Sequence, residues 1–510
     1  MAGKFTRRRL IGGAALALGA GAVGFPFVLR RSRKPRENVI LIIADAMRAE
    51  KIGKIVGGAE VTPFLNRMAA EGLHFANAYV AASWTKPSVA SILTGQHAMY
   101  HGVTMGAYTL PHIPTIQGYF ADKGYFTFAV QTNNFLYPEL KRARDKAETG
   151  FSRGFSLYVT RNRRRTDEDA KRGQKLRFYA PAAQINETFF KVLDRDGLLF
   201  QEAHYPFFAY LHYMDTHQPW VPAAPVDGIT GKFYEGHMGE KKPAADAFEE
   251  YSREGVSNVL LNADGRSRNL DPSPRDRSLI EAINDEAAAY VDLCVGQLTE
   301  ELRRRGILDN TTIIFTADHG DELWEHGRLC HGKKGPGKQL YEEVVRVPLV
   351  IRRTGVPAAK VSARVSNASI FATVREWFGD EDLPHTTLFS LMTGAAKPSE
   401  PTRETIYTMF DPSERKAILP DGRDVISVLE SGPDAYYNIA TDPGEEKPLA
   451  ADREVIEALW KIEAITKEFA KLDNVKPLVT THEWQLGGFV NGNNLTPEQR
   501  EELRALGYIN

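Results

Sequence analysis

Three short stretches of this sequence carry side chains whose types and settings suit chemistry. Asp45 follows Val39-Ile40-Leu41-Ile42-Ile43, an apolar run without alternation, and so stands just past the carboxyl end of a strand buried on both faces. Asp318-His319 stands in the same position after Thr312-Ile313-Ile314-Phe315. Open α/β sheets hold their ligands at the carboxyl ends of strands. Two carboxylates and an imidazole placed there form an oxygen and nitrogen donor set for one hard or borderline divalent cation (Ca²⁺, Mg²⁺, Mn²⁺ or Zn²⁺). Thr85 sits where a helix would start, with Pro87 in its first turn and Gly95 as its stop. A hydroxyl at that place faces the free N–H groups and positive dipole end, where an anion would bind. Each stretch also has a plainer reading: an Asp that caps a turn, a structural Asp-His pair, and a Thr that only caps its helix.

The elements that must position these residues read as an α/β fold. Further apolar runs at Phe126–Val130, Phe207–Leu211 and Leu349–Ile351 read as buried strands. Helical patterns at Thr62–Glu71, Thr115–Lys123, Ala183–Leu193 and Leu279–Arg305 lie between the strands. The alternation predicts a large, mostly parallel sheet covered by helices on both faces. After about residue 380 the alternation fades, so the chain divides into 1–36, a catalytic domain at 37–380, and a smaller C-terminal α+β subdomain and tail at 381–510. A last helix is expected from Thr496-Pro497-Glu498-Gln499. Residues 139–177, rich in Arg and Lys, and 223–275, rich in Gly, Asp, Ser and Pro, read as solvated insertions.

Composition narrows the function classes. With 43% apolar and 25% charged residues a large core is possible and whole-chain disorder is excluded. The net charge of −1 hides an asymmetry: residues 1–36 hold nine of the 64 basic residues and no acidic one, leaving 55 against 65, or −10, on the rest. So acidic a body argues against a nucleic-acid partner. Cys294 and Cys330 are too few for a disulfide scaffold or a cysteine zinc finger, and two free thiols are expected. At the N-terminus, Arg7-Arg8-Arg9 precedes an apolar, Gly/Ala-rich run from Leu10 to Leu29. The paired arginines resemble a twin-arginine export signal, which implies the twin-arginine machinery as a partner and a periplasmic location. Membrane anchoring facing the periplasm is the alternative to cleavage near Ala20-Gly21-Ala22.

Longer segments surround the three stretches. They are Asn38-Val39 through Asp45-Ala46-Met47-Arg48; Thr85-Lys86-Pro87-Ser88 with Ser91-Ile92-Leu93-Thr94-Gly95 and His101-Gly102-Val103; and His212-Tyr213-Met214-Asp215-Thr216-His217-Gln218-Pro219-Trp220. Then come Leu308-Asp309-Asn310-Thr311 through Asp318-His319-Gly320-Asp321-Glu322, Tyr341-Glu342-Glu343 with Arg346-Val347-Pro348-Leu349, Tyr437-Asn438 through Pro443-Gly444-Glu445, and Leu506-Gly507-Tyr508. In this order they resemble the sulfatase family of the alkaline phosphatase superfamily over most of residues 38–510. The resemblance implies the fold of that family, one divalent metal ion held by Asp45, Asp318, His319 and Thr85, and Thr85 as nucleophile. It implies that His217 contacts the substrate's anionic oxygens or leaving group and that Lys338 is a substrate-binding lysine. Lys333 is the rival to Lys338, because the stretch from His331 to Pro336 looks inserted, and His331 is a further substrate-binding candidate. Arg48 and Asn134 are candidates either for substrate contact or for loop support, and are read as supports; His101 is read as a structural turn residue rather than a ligand.

Three departures from the family pattern shape the expected chemistry. Sulfatases proper carry Cys or Ser at the nucleophile position, oxidised to formylglycine, whereas Thr85 has a β-methyl group and cannot become that aldehyde. The family's Arg two residues after the proline is Val89, and the second acidic residue of the opening turn is Ala46, which removes a ligand. A Thr nucleophile resembles the phosphoryl-transfer branches, such as phosphodiesterases and lipid phosphoethanolamine transferases. The expectation is an exported, metal-dependent hydrolase or transferase acting on phosphate esters, phosphodiester or phosphonate-like, through a covalent Thr intermediate. The alternatives are an arylsulfatase-like hydrolase of sulfate esters and a non-catalytic member that binds anionic glycans or lipids.

Overall fold

The computed structural model describes residues 37–449 together with residue 457, leaving out 105–107, 142–145, 162–178, 196–205, 221, 223, 252–271, 332–339, 381–382, 384–387, 389–404, 412–413, 422 and 429–434. The apolar run after the basic linker forms β1 (Asn38–Ala44), buried at every position. The other strands of the same sheet are β2 (Leu73–Tyr79), β3 (Phe126–Gln131), β4 (Leu157–Thr160), β5 (Phe207–Tyr213), β6 (Thr311–Thr316), β7 (Arg346–Val347), β8 (Leu349–Arg352) and β9 (Ala359–Ser366). They make a nine-stranded sheet in the order β7-β2-β8-β6-β1-β5-β3-β4, with β9 paired to β2. The run from β6 through β1, β5 and β3 to β4 is parallel, as is β9 with β2, whereas β8 is antiparallel to both β6 and β2.

Alternate residues of β1 explain why this sheet needs two helical layers. Ile40 and Ile42 join one apolar cluster, with Leu65 of α1 (Pro63–Glu71), Ile185 and Phe189 of α4 (Ala182–Arg195) and Val291 and Leu298 of α5 (Pro274–Arg304). Val39, Leu41 and Ile43 join the opposite cluster, with Ile92 of α2 (Thr85–Thr94), Phe120 of α3 (Ile116–Asp122) and Phe371 of α6 (Ser369–Trp377). A strand apolar at every position can be satisfied only when both faces are covered. Beyond this body, β10 (Ile406–Asp411), β11 (Glu414–Ile418), β12 (Arg423–Val428) and β13 (Ala435–Asn438) form a four-stranded antiparallel sheet. It meets the large body through an Ala82–Met409 bridge and a buried Lys416, which pairs with Asp424 and Glu445 at 2.6 Å and with Glu342 at 3.6 Å.

The elements differ from the sequence expectation where periodicity is weak. The Arg/Lys-rich stretch is not wholly a solvated insertion, since β4 within it extends the sheet beyond β3. The Gly/Asp/Ser/Pro-rich stretch contains short helices at Tyr234–Met238 and Ala244–Glu250. Helix α5 starts before the first apolar position, at a Ser273–Asp276 capping box with Pro274 as the first helical residue. β9 alternates buried and more exposed positions and so lacks the unbroken apolar run of the central strands. Among the described residues no helix is long and apolar enough to cross a membrane. The N-terminal apolar run, the Thr496 helix and Leu506-Gly507-Tyr508 lie outside the described residues.

Candidate active site

Neighbouring strand ends deliver the site. Past β1, the Asp45 amide donates to the Tyr213 carbonyl at 2.8 Å, and Thr216 Oγ1 donates to the Asp45 carbonyl at 2.7 Å. Ala46 then takes the left-handed region at φ 61°, which non-glycine residues rarely adopt, and its amide donates to Asp318 Oδ1 at 3.2 Å. The Asp45 and Asp318 turns are therefore joined directly. Gly320 closes the second turn: its amide donates to the Val344 carbonyl at 2.7 Å, and a Cβ there would lie 2.1 Å from the Glu343 carbonyl oxygen.

Asp45 is the hub. Its Oδ2 accepts from Thr85 Oγ1 at 3.3 Å and from Asn133 Nδ2 at 2.9 Å, and lies 3.0 Å from His212 Nε2. His212 Nδ1 in turn contacts the Tyr210 hydroxyl at 2.6 Å. His319 Nδ1 donates to the Gly320 carbonyl at 2.9 Å, which fixes the tautomer and leaves the Nε2 lone pair facing Asp45 Oδ1 at 3.4 Å and Asp318 Oδ2 at 3.7 Å. Asp45 Oδ1 and Asp318 Oδ2 are buried with no hydrogen-bond partner among the described residues. One ligand atom from each of Asp45, Asp318 and His319 lies within 4.8 Å of the others. Two bare carboxylate oxygens and an imidazole lone pair, converging in a dry site, fit a divalent cation.

The electrostatics agree. Burial works against the charge on Asp45, but His217, His212 and His319 outweigh it and hold the carboxyl well below its usual range. Burial and the neighbouring Asp45 carboxylate push Asp318 up to about 6. Burial alone would lower His319, yet Asp318 and Asp45 raise it to about 10. The two carboxylates thus favour a positive charge beside them, the field that a bound cation would meet.

Thr85 is not the cap of its helix. Trp84 occupies that position without a side-chain cap, and Thr85 is the first helical residue. Its hydroxyl points instead at Asp45 Oδ2 and lies 3.5 Å from His319 Nε2. Ser88 Oγ donates to the Asp318 carbonyl at 2.5 Å and ties the first turn of α2 to the metal-type cluster. On the opposite side, His217 Nδ1 donates to the Gln218 carbonyl at 2.8 Å, while its Nε2 is buried with no hydrogen-bond partner among the described residues. The His331 ring stands 5.1 Å from that of His217 and 3.8 Å from that of His319.

A sulfatase family model matches residues 37–380, well over half the chain. This chain belongs to the sulfatase family. It is 25% identical over 496 residues to the multifunctional alkaline phosphatase superfamily protein PehA of Trinickia caryophylli, covering 82% of this chain and 92% of that protein. It is 24% identical over 496 residues to human arylsulfatase A, covering 88% and 90%. Among solved structures, the phosphonate monoester hydrolase of Agrobacterium radiobacter shares the fold at a TM-score of 0.62 and 19% identity, over 85% of this chain and 96% of that one. The chain is accordingly a sulfatase-family hydrolase, and members of this family bind a divalent metal.

Of the residues singled out from the sequence, Asp45, Thr85, Asp318 and His319 come together, and His217 and His331 stand beside them. Lys333 and Lys338 lie outside the described residues. Arg48 is a loop support, paired with Glu50 at 2.7 Å and Glu325 at 2.6 Å. His101 is a turn residue, with Ser91 Oγ at 2.9 Å from Nε2 and the Val103 amide donating to Nδ1. Neither Cys294 nor Cys330 is in a disulfide, and both are buried. The asparagine of the site is Asn133 rather than Asn134, which only opens the short helical turn Asn134–Leu136. His212 was given no role from the sequence; a polar residue in an otherwise apolar strand was its one signal. Lys86, next to Thr85, was likewise passed over, and burial lowers its ammonium to about 7.

Proposed function

We propose that this chain is a metal-dependent hydrolase or transferase of phosphate esters, of phosphodiester or phosphonate type, with Thr85 as its nucleophile. One observation carries the reading: the Thr85 hydroxyl stands on the first residue of its helix rather than at the cap, and is aimed at Asp45 and His319 in a water-excluded site. A divalent cation held by Asp45, Asp318, His319 and the Thr85 oxygen would lower the hydroxyl's pKa and polarise the ester. Thr85 Oγ1 gives up its proton on the Asp45 side and forms the O–P bond. The bond from phosphorus to the leaving oxygen breaks, and that oxygen leaves as an alcohol once protonated. The positive end of α2 faces the charge that builds on the other phosphoryl oxygens, and the buried His217 Nε2 is placed to meet the substrate. Water or an acceptor alcohol then cleaves the phospho-threonine.

The wide coverage by a relative named multifunctional supports a substrate range beyond sulfate esters. The covalent intermediate gives the test. After quenching with an aryl phosphodiester, peptide mass spectrometry should find one phosphoryl group on Thr85. Thr85→Ala should lose both the label and nearly all turnover, and Thr85→Ser should retain part of each. Rapid turnover of aryl sulfates with phosphodiesters untouched would overturn the substrate choice. Full turnover in Thr85→Ala would overturn the nucleophile.

A further inference from the structure

The fold treats the two oxygens of Asp45 differently. Oδ1 has no hydrogen-bond partner among the described residues, whereas Oδ2 has Asn133 Nδ2 at 2.9 Å, His212 Nε2 at 3.0 Å and Thr85 Oγ1 at 3.3 Å. The two shorter contacts come from neighbouring strand ends, and each is fixed from behind. His212 follows Tyr210 by two residues on β5, so both side chains face the same side of the sheet. Tyr210 is buried in the apolar cluster on that side, and His212 Nδ1, 2.6 Å away, is the sole hydrogen-bond partner of its hydroxyl among the described residues. A carboxylate oxygen only accepts, so Nε2 carries the imidazole hydrogen and the tyrosine hydroxyl donates to Nδ1. Just past β3, Asn133 Oδ1 accepts from the Phe135 amide at 2.9 Å, which turns Nδ2 towards Asp45. His212 is not part of the donor group formed by Asp45, Asp318 and His319.

We propose that His212, turned by Tyr210, and Asn133 are positioning residues that hold Asp45 as a one-oxygen metal ligand. The imidazole and amide hydrogens fill the two lone-pair directions of Oδ2. That leaves Oδ1 to the cation and keeps the carboxylate from turning to give both oxygens. Thr85 Oγ1 makes the longest of the three contacts and is the one free to change when the hydroxyl gives up its proton. Ala46 gives the constraint its weight. With no second carboxylate in the opening turn, the orientation of Asp45 bears directly on where the cation lies relative to Thr85. The inference rests on the metal-dependent reading above for its catalytic meaning, though not for the hydrogen bonds themselves.

The test uses the full chain, stripped with a chelator. Mn²⁺ affinity is read from the electron paramagnetic resonance signal of the free ion, and coordination from the visible absorption band of the Co²⁺-loaded protein. Tyr210→Phe removes one hydroxyl, remote from the cation position, and keeps the ring that fills the core. That variant, His212→Leu and Asn133→Ala should each weaken Mn²⁺ binding by about 10- to 100-fold, as expected when the hydrogen-bond partner of a metal ligand is lost. In all three the Co²⁺ band should lose intensity, because the freed carboxylate adds its second oxygen and the coordination number rises. His212→Gln, which restores an N–H donor, should bind Mn²⁺ nearly as the wild type does. Wild-type affinity in both Tyr210→Phe and Asn133→Ala would overturn the proposal, whether or not His212→Leu folds. Weakened binding with an unchanged Co²⁺ band would also overturn it, because a merely structural role predicts that result. Thr85 labelling is read separately: a labelled Thr85 with Mn²⁺ affinity indifferent to these changes sinks this inference alone. Affinity that follows them while Thr85 stays unlabelled sinks the nucleophile alone.

Discussion

Asp318 shows how a single residue can be costly to the fold and necessary to the site. Its carboxyl is fully buried beside that of Asp45, and burial together with that like charge pushes it up to about 6. A residue kept only for stability would not sit where its charge is resisted. Asp318→Asn should therefore leave the metal-free protein as stable as the wild type or slightly more so, because the like-charge repulsion is gone. The same change should weaken divalent-cation binding by at least tenfold and abolish turnover, since Oδ2 is one of two carboxylate oxygens turned to the cation position. Thermal melts of both metal-free proteins, with metal analysis of both loaded ones, check this. A variant that melts much lower while keeping its metal would show a structural role instead.

At the scale of elements, function depends on turns packed closely enough to fix rotamers. The turn after β6 carries Asp318, His319 and Asp321, and it lies so near the Glu343–Val344 backbone that only glycine fits at position 320. Gly320→Ala must move the turn or its neighbour, and either shift disturbs the donor atoms of Asp318 and His319. A displacement of about 1 Å can cost on the order of 100-fold in rate, so kcat should fall by about that factor with the overall fold preserved by circular dichroism. Wild-type kcat in Gly320→Ala would show that the turn is not under this constraint. On the other side of the site, the loop before α2 is held by the small sheet. Ser83 N donates to the Met409 carbonyl at 3.0 Å, and Trp84 Nε1 to that of Phe410 at 2.8 Å. The C-terminal sheet therefore sets where Thr85 begins its helix.

Across the whole molecule, α5 runs 31 residues, about 45 Å, against the large sheet. Midway along it, Asp285 and Glu286 respond to pH in opposite senses. Asp285 is buried, but Lys51, His237 and Lys54 hold it below the usual carboxylate range. Burial pushes Glu286 up to about 7, although it accepts from Tyr251 Oη at 2.9 Å and from the Phe233 amide at 3.3 Å. A raised folded-state pKa means that the folded chain binds the extra proton between about pH 4.5 and 7, so Glu286 favours folding below that window and ceases to as pH rises through it. The contribution is at most about 3 kcal/mol. Glu286→Gln should be more stable than the wild type at pH 8, with the advantage shrinking by pH 5, as measured by urea unfolding at both values. An advantage independent of pH would show that Glu286 does not titrate in this range.

The sequence by itself determined the α/β class, the strand ends that carry Asp45 and Asp318-His319, and the helix start at Thr85, because unbroken apolar runs and helix-stop signals are local and strong. It did not reveal Asn133 or His212. Each is one polar residue whose role depends on Asp45, 88 or 167 positions away, at distances of 2.9 and 3.0 Å. Local pattern also left Thr85 open to the role of a simple cap. Only the sheet order, in which β8 and β6 stand between β1, which leads into Asp45, and β2, which leads towards Thr85, brought the two residues together across 40 positions of sequence, since strands that are neighbours in space are separated in sequence by the helices that cover them.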